Sequence, residues 1–154
     1  MERTNCTAIV IILAMTKDHK VIFTEQYRPP VKSKVIEFPA GLVNDETENE
    51  SIFEAAKREL FEETGYEAKR MVKVLAGPVS SGFTSDMVAV LKAVDITKRG
   101  RGGGDALENI RVHEVPLKKV ESWLKEMQKK GCLVDPKVYA GLYFLHKNGK
   151  AKIS

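Results

Sequence analysis

The sequence has few cysteines, few aromatic residues and little excess charge of either sign. Only two cysteines occur among 154 residues, which excludes a multi-disulfide scaffold and indicates a reducing compartment, by default the cytoplasm. Aromatic residues make up 7% of the chain, and the net charge of +4 is too small to indicate a nucleic-acid-binding protein. The composition therefore predicts one soluble globular domain spanning residues 1–154.

The chain also lacks a hydrophobic run long enough to cross a bilayer. The N-terminal run TAIVIILAM is too short for a transmembrane helix. Glu2 precedes it and no small-residue cleavage site follows, so a signal peptide is not expected either. We interpret the run as a buried first strand and expect no membrane association.

Short β-branched runs separated by turns fill most of the chain, and three segments read as helices. The first helix begins after Ser51, which forms a capping box with Glu54, and it ends at Gly65. The second is LKKVESWLKEMQKK, and the third follows Asp135 as its N-cap. The pattern predicts an α/β (α+β) fold in which a mixed β-sheet lies between helices.

The first helix concentrates negative charge within little more than one turn, at Glu59, Glu62 and Glu63. At about 100° per residue these acids share one arc of the helix, whereas the neighbouring basic residues, Lys57 and Arg58, lie away from it. We expect a different arc to be buried, formed by Phe53, Ala56 and Leu60. The acids form either a solvated face or a site for a hard divalent cation such as Mg²⁺, which prefers oxygen ligands.

The residues around this helix resemble a known motif, the Nudix box. The matching positions are Gly41, Glu50, Arg58-Glu59-Leu60, Glu62-Glu63 and Gly65-Tyr66, and eight residues separate Gly41 from Glu50 where the family usually has five. Three further segments, EQYRPP, IEFPAGL and IRVHEVPL, are similar to the Nudix subgroup that hydrolyses ADP-ribose and other nucleoside diphosphate sugars. The resemblance implies a Nudix fold and a metal-dependent pyrophosphatase.

The resemblance also implies roles for individual residues. Mg²⁺, or Mn²⁺ in its place, would bind a set of four ligands, and a substrate phosphate would contact Arg28. Gly41 is placed at the substrate. Independently of the resemblance, Phe83 in the loop after SSG could stack on a base or shield the site, and it could equally pack in the core. A general base is expected in the loop before IRVHEVPL, which the RGRGGG segment would let close over substrate, although a merely disordered loop would explain these glycines equally well. The metal ligands are the Ala40 carbonyl, Glu59, Glu62 and Glu63, and the catalytic acids are Glu108, Asp105 and Glu62.

Two alternatives remain open. A housecleaning hydrolase of nucleoside triphosphates or dinucleoside polyphosphates could use the basic KRGRG tract for extra phosphates. A non-catalytic nucleotide-binding regulator is the other alternative, although such proteins usually lose box carboxylates. A homodimer is expected from the habit of the family, and the partner is expected to be a small nucleotide rather than a nucleic acid.

Overall fold

The structure is a computed structural model that describes residues 8–44, 49–105 and 109–150, with side chains up to residue 147. Glu108 and Cys6 lie outside the described residues, as does most of the segment between Asn44 and Glu50. Within the described part of the chain, no helix combines the length and the hydropathy needed to cross a membrane.

The described residues form three α-helices and eight strands in two four-stranded sheets. The strands are Ala8–Leu13 (β1), Lys20–Arg28 (β2), Ser33–Glu37 (β3), Ala40–Leu42 (β4), Tyr66–Pro78 (β5), Met87–Lys98 (β6), Arg111–Pro116 (β7) and Leu133–Val134 (β8). The helices are Ile52–Thr64 (α1), Val120–Lys129 (α2) and Lys137–Lys150 (α3).

Both sheets are mixed, which confirms the predicted fold class. The strands form two sheets and not the single sheet that was expected. One sheet has the order β4-β1-β6-β5, with β1 parallel to β6, and the other has the order β7-β2-β3-β8, with β3 parallel to β8. Pro39 separates β3 from β4. Proline has no N–H to donate to a ladder, so β3 ends before it and β4 pairs with β1 after it.

Helix α1 packs against the sheet that contains β1, and it does so through small residues. Ala55, Ala56 and Leu60 are fully buried there, together with Val10 and Leu91 from the sheet. The expectation that Phe53 belongs to the buried face is wrong, because its side chain is 43% exposed. Alanine at two contact positions lets the helix approach the strands closely. The buried face of the helix is shifted from Phe53 toward Glu59 and Glu63.

The other core cluster joins the two sheets to α2 and α3. Trp123 packs against it, with its ring 5.1 Å from those of Phe23 and His113, as expected for a core residue. Gly141 brings α3 close to the sheets, because a Cβ there would lie 2.3 Å from the Phe38 ring. The first turn of α3 is thereby held near the ends of β3 and β4.

Candidate active site

The position of α1 is fixed at both ends by the predicted caps. Ser51 Oγ accepts a hydrogen bond from the Glu54 N–H at 3.1 Å, and the Glu54 carboxylate accepts one from the Ser51 N–H at 3.2 Å. Gly65 ends the helix in the left-handed conformation, at φ 77°. These caps satisfy backbone groups that a helix leaves unpaired, and they set which residues face the sheet.

Two of the three acids, Glu59 and Glu63, are buried on this helix. Only 8% of Glu59 and 7% of Glu63 is exposed. The Ala40 N–H donates to Glu63 Oε2 at 3.2 Å, which ties the carboxylate to β4. Gly41 leaves space for Glu59, since a Cβ on Gly41 would lie 2.0 Å from Glu59 Cδ. Strand β4 and helix α1 therefore meet at these two carboxylates, both of which lie against β4.

The register of β4 orients the Ala40 carbonyl. Ala40 pairs with Ile11, between two positions that hydrogen-bond to β1: the Ile12 N–H donates to the Pro39 carbonyl, and Gly41 pairs with Val10. In an antiparallel ladder these positions alternate, so the N–H and C=O of Ala40 both point away from β1. The Ala40 carbonyl thus lies on the side of the strand where its N–H meets Glu63.

Arg58 joins the acids to the loop before the helix. Its Nε and Nη2 donate to the Glu50 carboxylate at 2.8 and 2.9 Å, and Nη2 also reaches the Leu42 carbonyl at 3.0 Å. Its Nη1 donates to Glu59 at 2.8 Å and to Glu62 at 3.4 Å. The expectation that Arg58 lies away from the acids is therefore wrong, because its guanidinium bonds to Glu59 and Glu62. Its bonds to Glu50 brace the loop before the helix.

The bonds between Arg58 and Glu50 shift the pKa values of both groups. The hydrogen bonds from Arg58 hold the pKa of Glu50 below its ordinary value. The same pair raises the pKa of Arg58 further above its ordinary value, so the guanidinium stays charged at any relevant pH. The positive charge of Arg58 beside Glu59 and Glu62 is therefore permanent.

A cleft of about 410 Å³ opens beside the two buried carboxylates. Arg28 reaches it from β2, with 43% of its side chain exposed and its Nε 3.0 Å from Glu37 Oε2. Gln26, Glu37 and Lys137, which were not predicted from the sequence, are brought to the same cleft by tertiary contacts. Its lining comprises Ile9, Ile11, Gln26, Arg28, Glu37, Ala40, Gly41, Leu42, Glu59, Glu63 and Lys137.

Three residues predicted for the site do not line this cleft. Glu62 has 37% of its side chain exposed and contacts Arg58 instead. Phe83 is 92% exposed in the turn between β5 and β6, which excludes the core position that was its alternative. Asp105 is exposed and follows Gly104, whose N–H donates to the Glu62 carbonyl at 3.0 Å. Glu108 lies outside the described residues.

The glycine-rich segment 99–104 binds the C-terminal end of α1. The N–H groups of Gly103 and Gly104 donate to the carbonyls of Glu63 and Glu62, and the N–H groups of Arg99 and Gly100 donate to the carbonyl of Gly65. These bonds satisfy carbonyls at the helix end. In the structure, residues 99–104 form a backbone cap on α1. Closure of the loop that follows them over substrate stays a prediction.

The basic tract belongs to the same cap. Lys98 Nζ donates to the Thr64 carbonyl at 2.7 Å and lies 5.0 Å from the centre of the Tyr66 ring. The Tyr66 hydroxyl in turn donates to Glu114 on β7. Lys98 therefore neutralises the negative end of the helix dipole, and no residue of the tract lines the cleft.

The donors around the cleft fit a hard divalent cation. Among the described residues no group of three or more His, Cys, Asp and Glu side chains converges on one point. Mg²⁺ is commonly held by one or two carboxylates together with substrate phosphates. Glu59, Glu63 and the Ala40 carbonyl supply oxygen donors of this kind at one cleft, and the missing Cβ of Gly41 keeps the space for one of them.

The fold and this site define a class of protein: an α/β domain that presents helix carboxylates and an arginine to one cleft. The chain belongs to the NUDIX family, whose domain model matches residues 5–131. The Nudix box identified in the sequence is thus the motif that builds the cleft.

Individual relatives are similar over much of the chain. A methanol dehydrogenase activator of Bacillus methanolicus is 31% identical over 76% of the chain, and an ADP-ribose pyrophosphatase of Bacillus subtilis is 37% identical over 73%. The chain spans 62% of the length of each of these relatives. A solved structure titled as an ADP compounds hydrolase shares the fold, with a TM-score of 0.76 and 22% identity over 98% of this chain and 78% of that one.

Proposed function

We propose that this protein is a Mg²⁺-dependent pyrophosphatase. It hydrolyses the diphosphate bond of ADP-ribose or a related nucleoside diphosphate sugar to a nucleoside monophosphate and a sugar phosphate. The observation that carries the proposal is the pair of buried carboxylates, Glu59 and Glu63, in one cleft with Arg28. The name of the Bacillus subtilis relative, an ADP-ribose pyrophosphatase, supports the substrate.

The charges of the cleft explain why a cation is needed. Three carboxylates and two cations line it, so the bare cleft repels a diphosphate. Mg²⁺, or Mn²⁺ in its place, would be held by Glu59, Glu63 and the Ala40 carbonyl, and when bound it supplies positive charge and a water of lowered pKa. Glu62, the fourth ligand predicted from the sequence, lies outside the cleft lining and contacts Arg58.

The protein's own residues position the substrate. Arg28 offers a guanidinium suited to phosphate oxygens, and Glu37 holds its Nε at 3.0 Å. In the reaction the oxygen of water bonds to phosphorus, the bridging P–O bond breaks, and a base accepts the proton of the water. Glu108 and Asp105 remain the proposed bases, and Asp105 directly follows the segment that caps α1.

A regulatory function without catalysis is the second candidate, and one observation favours it. The Bacillus methanolicus relative is named as an activator of another enzyme. Retention of both buried carboxylates at the cleft favours hydrolysis over this candidate. Nothing favours the triphosphate-hydrolase alternative to the same degree, because the KRGRG tract caps α1 instead of lining the cleft.

The deciding experiment measures hydrolysis of ADP-ribose, GDP-mannose, UDP-glucose, diadenosine polyphosphates and deoxynucleoside triphosphates. Each is tested with Mg²⁺, with Mn²⁺ and with EDTA, and products are separated by chromatography. We expect AMP and ribose 5-phosphate from ADP-ribose, no turnover in EDTA, and about a 1000-fold loss in Glu63→Gln, since the ligand supplies several kcal/mol of charge stabilisation.

Glu121→Gln is the matched control, because it makes the same chemical change on an exposed face of α2. It should retain wild-type turnover. Cleavage of triphosphates alone would replace the proposed substrate. No turnover of any compound by the folded wild type would reject hydrolysis and leave the regulatory candidate.

The location and assembly of the protein are also proposals. The low cysteine count supports a cytoplasmic protein. The homodimer expected from the family has a suitable surface in β5, which lies at a sheet edge and exposes Val72 and Leu75. Light scattering coupled to size-exclusion chromatography would distinguish a dimer of about 34 kDa, twice the 17.2 kDa chain, from a monomer.

A further inference from the structure

The cleft contains a second cation, Lys137, to which no role has been assigned. Lys137 is the first residue of α3 and lines the same cleft as Glu63 and Arg28. In the sequence it lies more than 70 residues after the acidic helix, next to no recognised motif. Its position in the site comes from tertiary structure alone.

Contacts with β3 bring Lys137 to the cleft. Val134 of β8 pairs with Ile36 of β3, and the Asp135 N–H donates to the Ile36 carbonyl at 3.0 Å. Helix α3 therefore begins beside the residue that precedes Glu37. Gly141 keeps the helix close to the sheets, as described above.

The ammonium group of Lys137 is held in place without being buried. Lys137 Nζ lies 2.9 Å from Asp135 Oδ2, while Asp135 Oδ1 accepts the Lys137 N–H at 2.8 Å. The Lys137 side chain is 46% exposed and the Asp135 side chain is 16% exposed. The arrangement repeats that of Arg28, whose charge is held at the cleft by Glu37.

The geometry points to Lys137 as a substrate-binding residue that contacts phosphate oxygens of a nucleoside diphosphate compound. Asp135 is its positioning residue. This inference rests on the proposed function, which supplies the anionic substrate. Without Lys137, Arg28 is the one cation among the described lining residues, set against three carboxylates. The cleft uses two cations from different elements to receive one diphosphate.

The experiment compares Lys137→Ala and Lys137→Arg with the wild type on ADP-ribose at saturating Mg²⁺. We expect Lys137→Ala to raise KM about tenfold or more with kcat nearly unchanged, because a charge-assisted contact made in the ground and transition states is lost. Lys137→Arg keeps the charge and should recover most of the affinity. The Mg²⁺ concentration for half-maximal activity should not rise in Lys137→Ala, because no oxygen donor is removed.

Lys147→Ala is the matched control on the same helix, since Lys147 lies over the Tyr143 ring and does not line the cleft. It should leave KM unchanged. A wild-type KM in Lys137→Ala, with normal turnover, would overturn the inference while leaving the proposed function intact.

An absence of turnover by the wild type would count against the proposed hydrolysis. Calorimetric titration with ADP-ribose would then test the Lys137 contact by itself. A Kd raised about tenfold in Lys137→Ala would still support the contact, and an unchanged Kd would overturn it. Thermal unfolding of each variant identifies any loss that comes from the fold.

Discussion

Two glycines of the Nudix box, Gly41 and Gly65, meet different neighbours around α1. A Cβ on Gly41 would lie 2.0 Å from Glu59 Cδ, the movable end of a side chain. A Cβ on Gly65 would lie 2.1 Å from the carbonyl oxygen of Gly100, and Gly65 also has φ 77°. A side chain can turn away from an added methyl group, whereas packed backbone cannot. Gly41 therefore preserves the position of the Glu59 carboxylate, whereas Gly65 preserves the backbone packing at the end of α1.

Among the glycine variants, the largest effect on activity is expected from Gly41→Ala, which tests the cleft side of this comparison. The added methyl group displaces the Glu59 carboxylate, and misplacing a catalytic group by about 1 Å can cost 100-fold in rate. We expect at least about that loss of ADP-ribose hydrolysis, with the melting temperature nearly unchanged because Gly41 has no positive φ. Gly77→Ala is the control, since nothing lies within 4 Å of its Cβ position. Normal activity in Gly41→Ala would mean that Glu59 needs no such space.

Gly102→Ala tests the capped end of α1. Gly102 has φ 74°, and a Cβ there would lie 2.5 Å from the Thr64 carbonyl carbon and 2.7 Å from the Glu63 carbonyl oxygen. We expect the free energy of unfolding in urea to fall by about 1–3 kcal/mol, the usual cost of a strained backbone position.

The same variant distinguishes a cap from a lid. A cap predicts that the kcat of folded Gly102→Ala stays near that of the wild type. If activity falls while stability is unchanged, segment 99–104 acts as the lid that its glycines first suggested.

Local signals explain what the sequence predicted well. The capping box at Ser51 and the end of α1 at Gly65 depend on neighbouring residues, so their spacing predicts them directly. Phe53 was placed wrongly because a helical arc shows which residues share a face, but not how far a packed sheet extends along it. Lys137 was missed because the pairing of β8 with β3 brings it to the cleft, and two residues of strand carry no usable pattern.

Glu50→Gln tests the brace at the start of α1 through its pH dependence. Because Arg58 lowers the pKa of Glu50 in the folded state, the pair stabilises the protein fully above the ordinary pKa of 4.5 and loses that contribution as the pH falls through the lower folded value. We expect Glu50→Gln to lower the free energy of unfolding by about 1–2 kcal/mol at pH 7.

The difference between wild type and Glu50→Gln should shrink below about pH 4.5, as measured by urea unfolding at several pH values. Glu54→Gln is a suitable comparison, because Glu54 is exposed at the same end of α1 and pairs with the Ser51 N–H instead of an arginine. An equal difference at all pH values would show that packing, and not charge, accounts for the brace.

Glu62→Gln should give the smallest effect. It tests whether Glu62 belongs to the functional site together with Glu59 and Glu63. Glu62 shares the helix arc of Glu59 and Glu63, yet it is more exposed and contacts Arg58 outside the cleft. We expect less than about a tenfold loss of kcat/KM, since Glu62 lies outside the cleft and its partly exposed pair with Arg58 is long, at 3.4 Å. A loss as large as that of Glu63→Gln, with a raised Mg²⁺ requirement, would place Glu62 among the metal ligands. The functional face of α1 would then include the side on which Glu62 contacts Arg58.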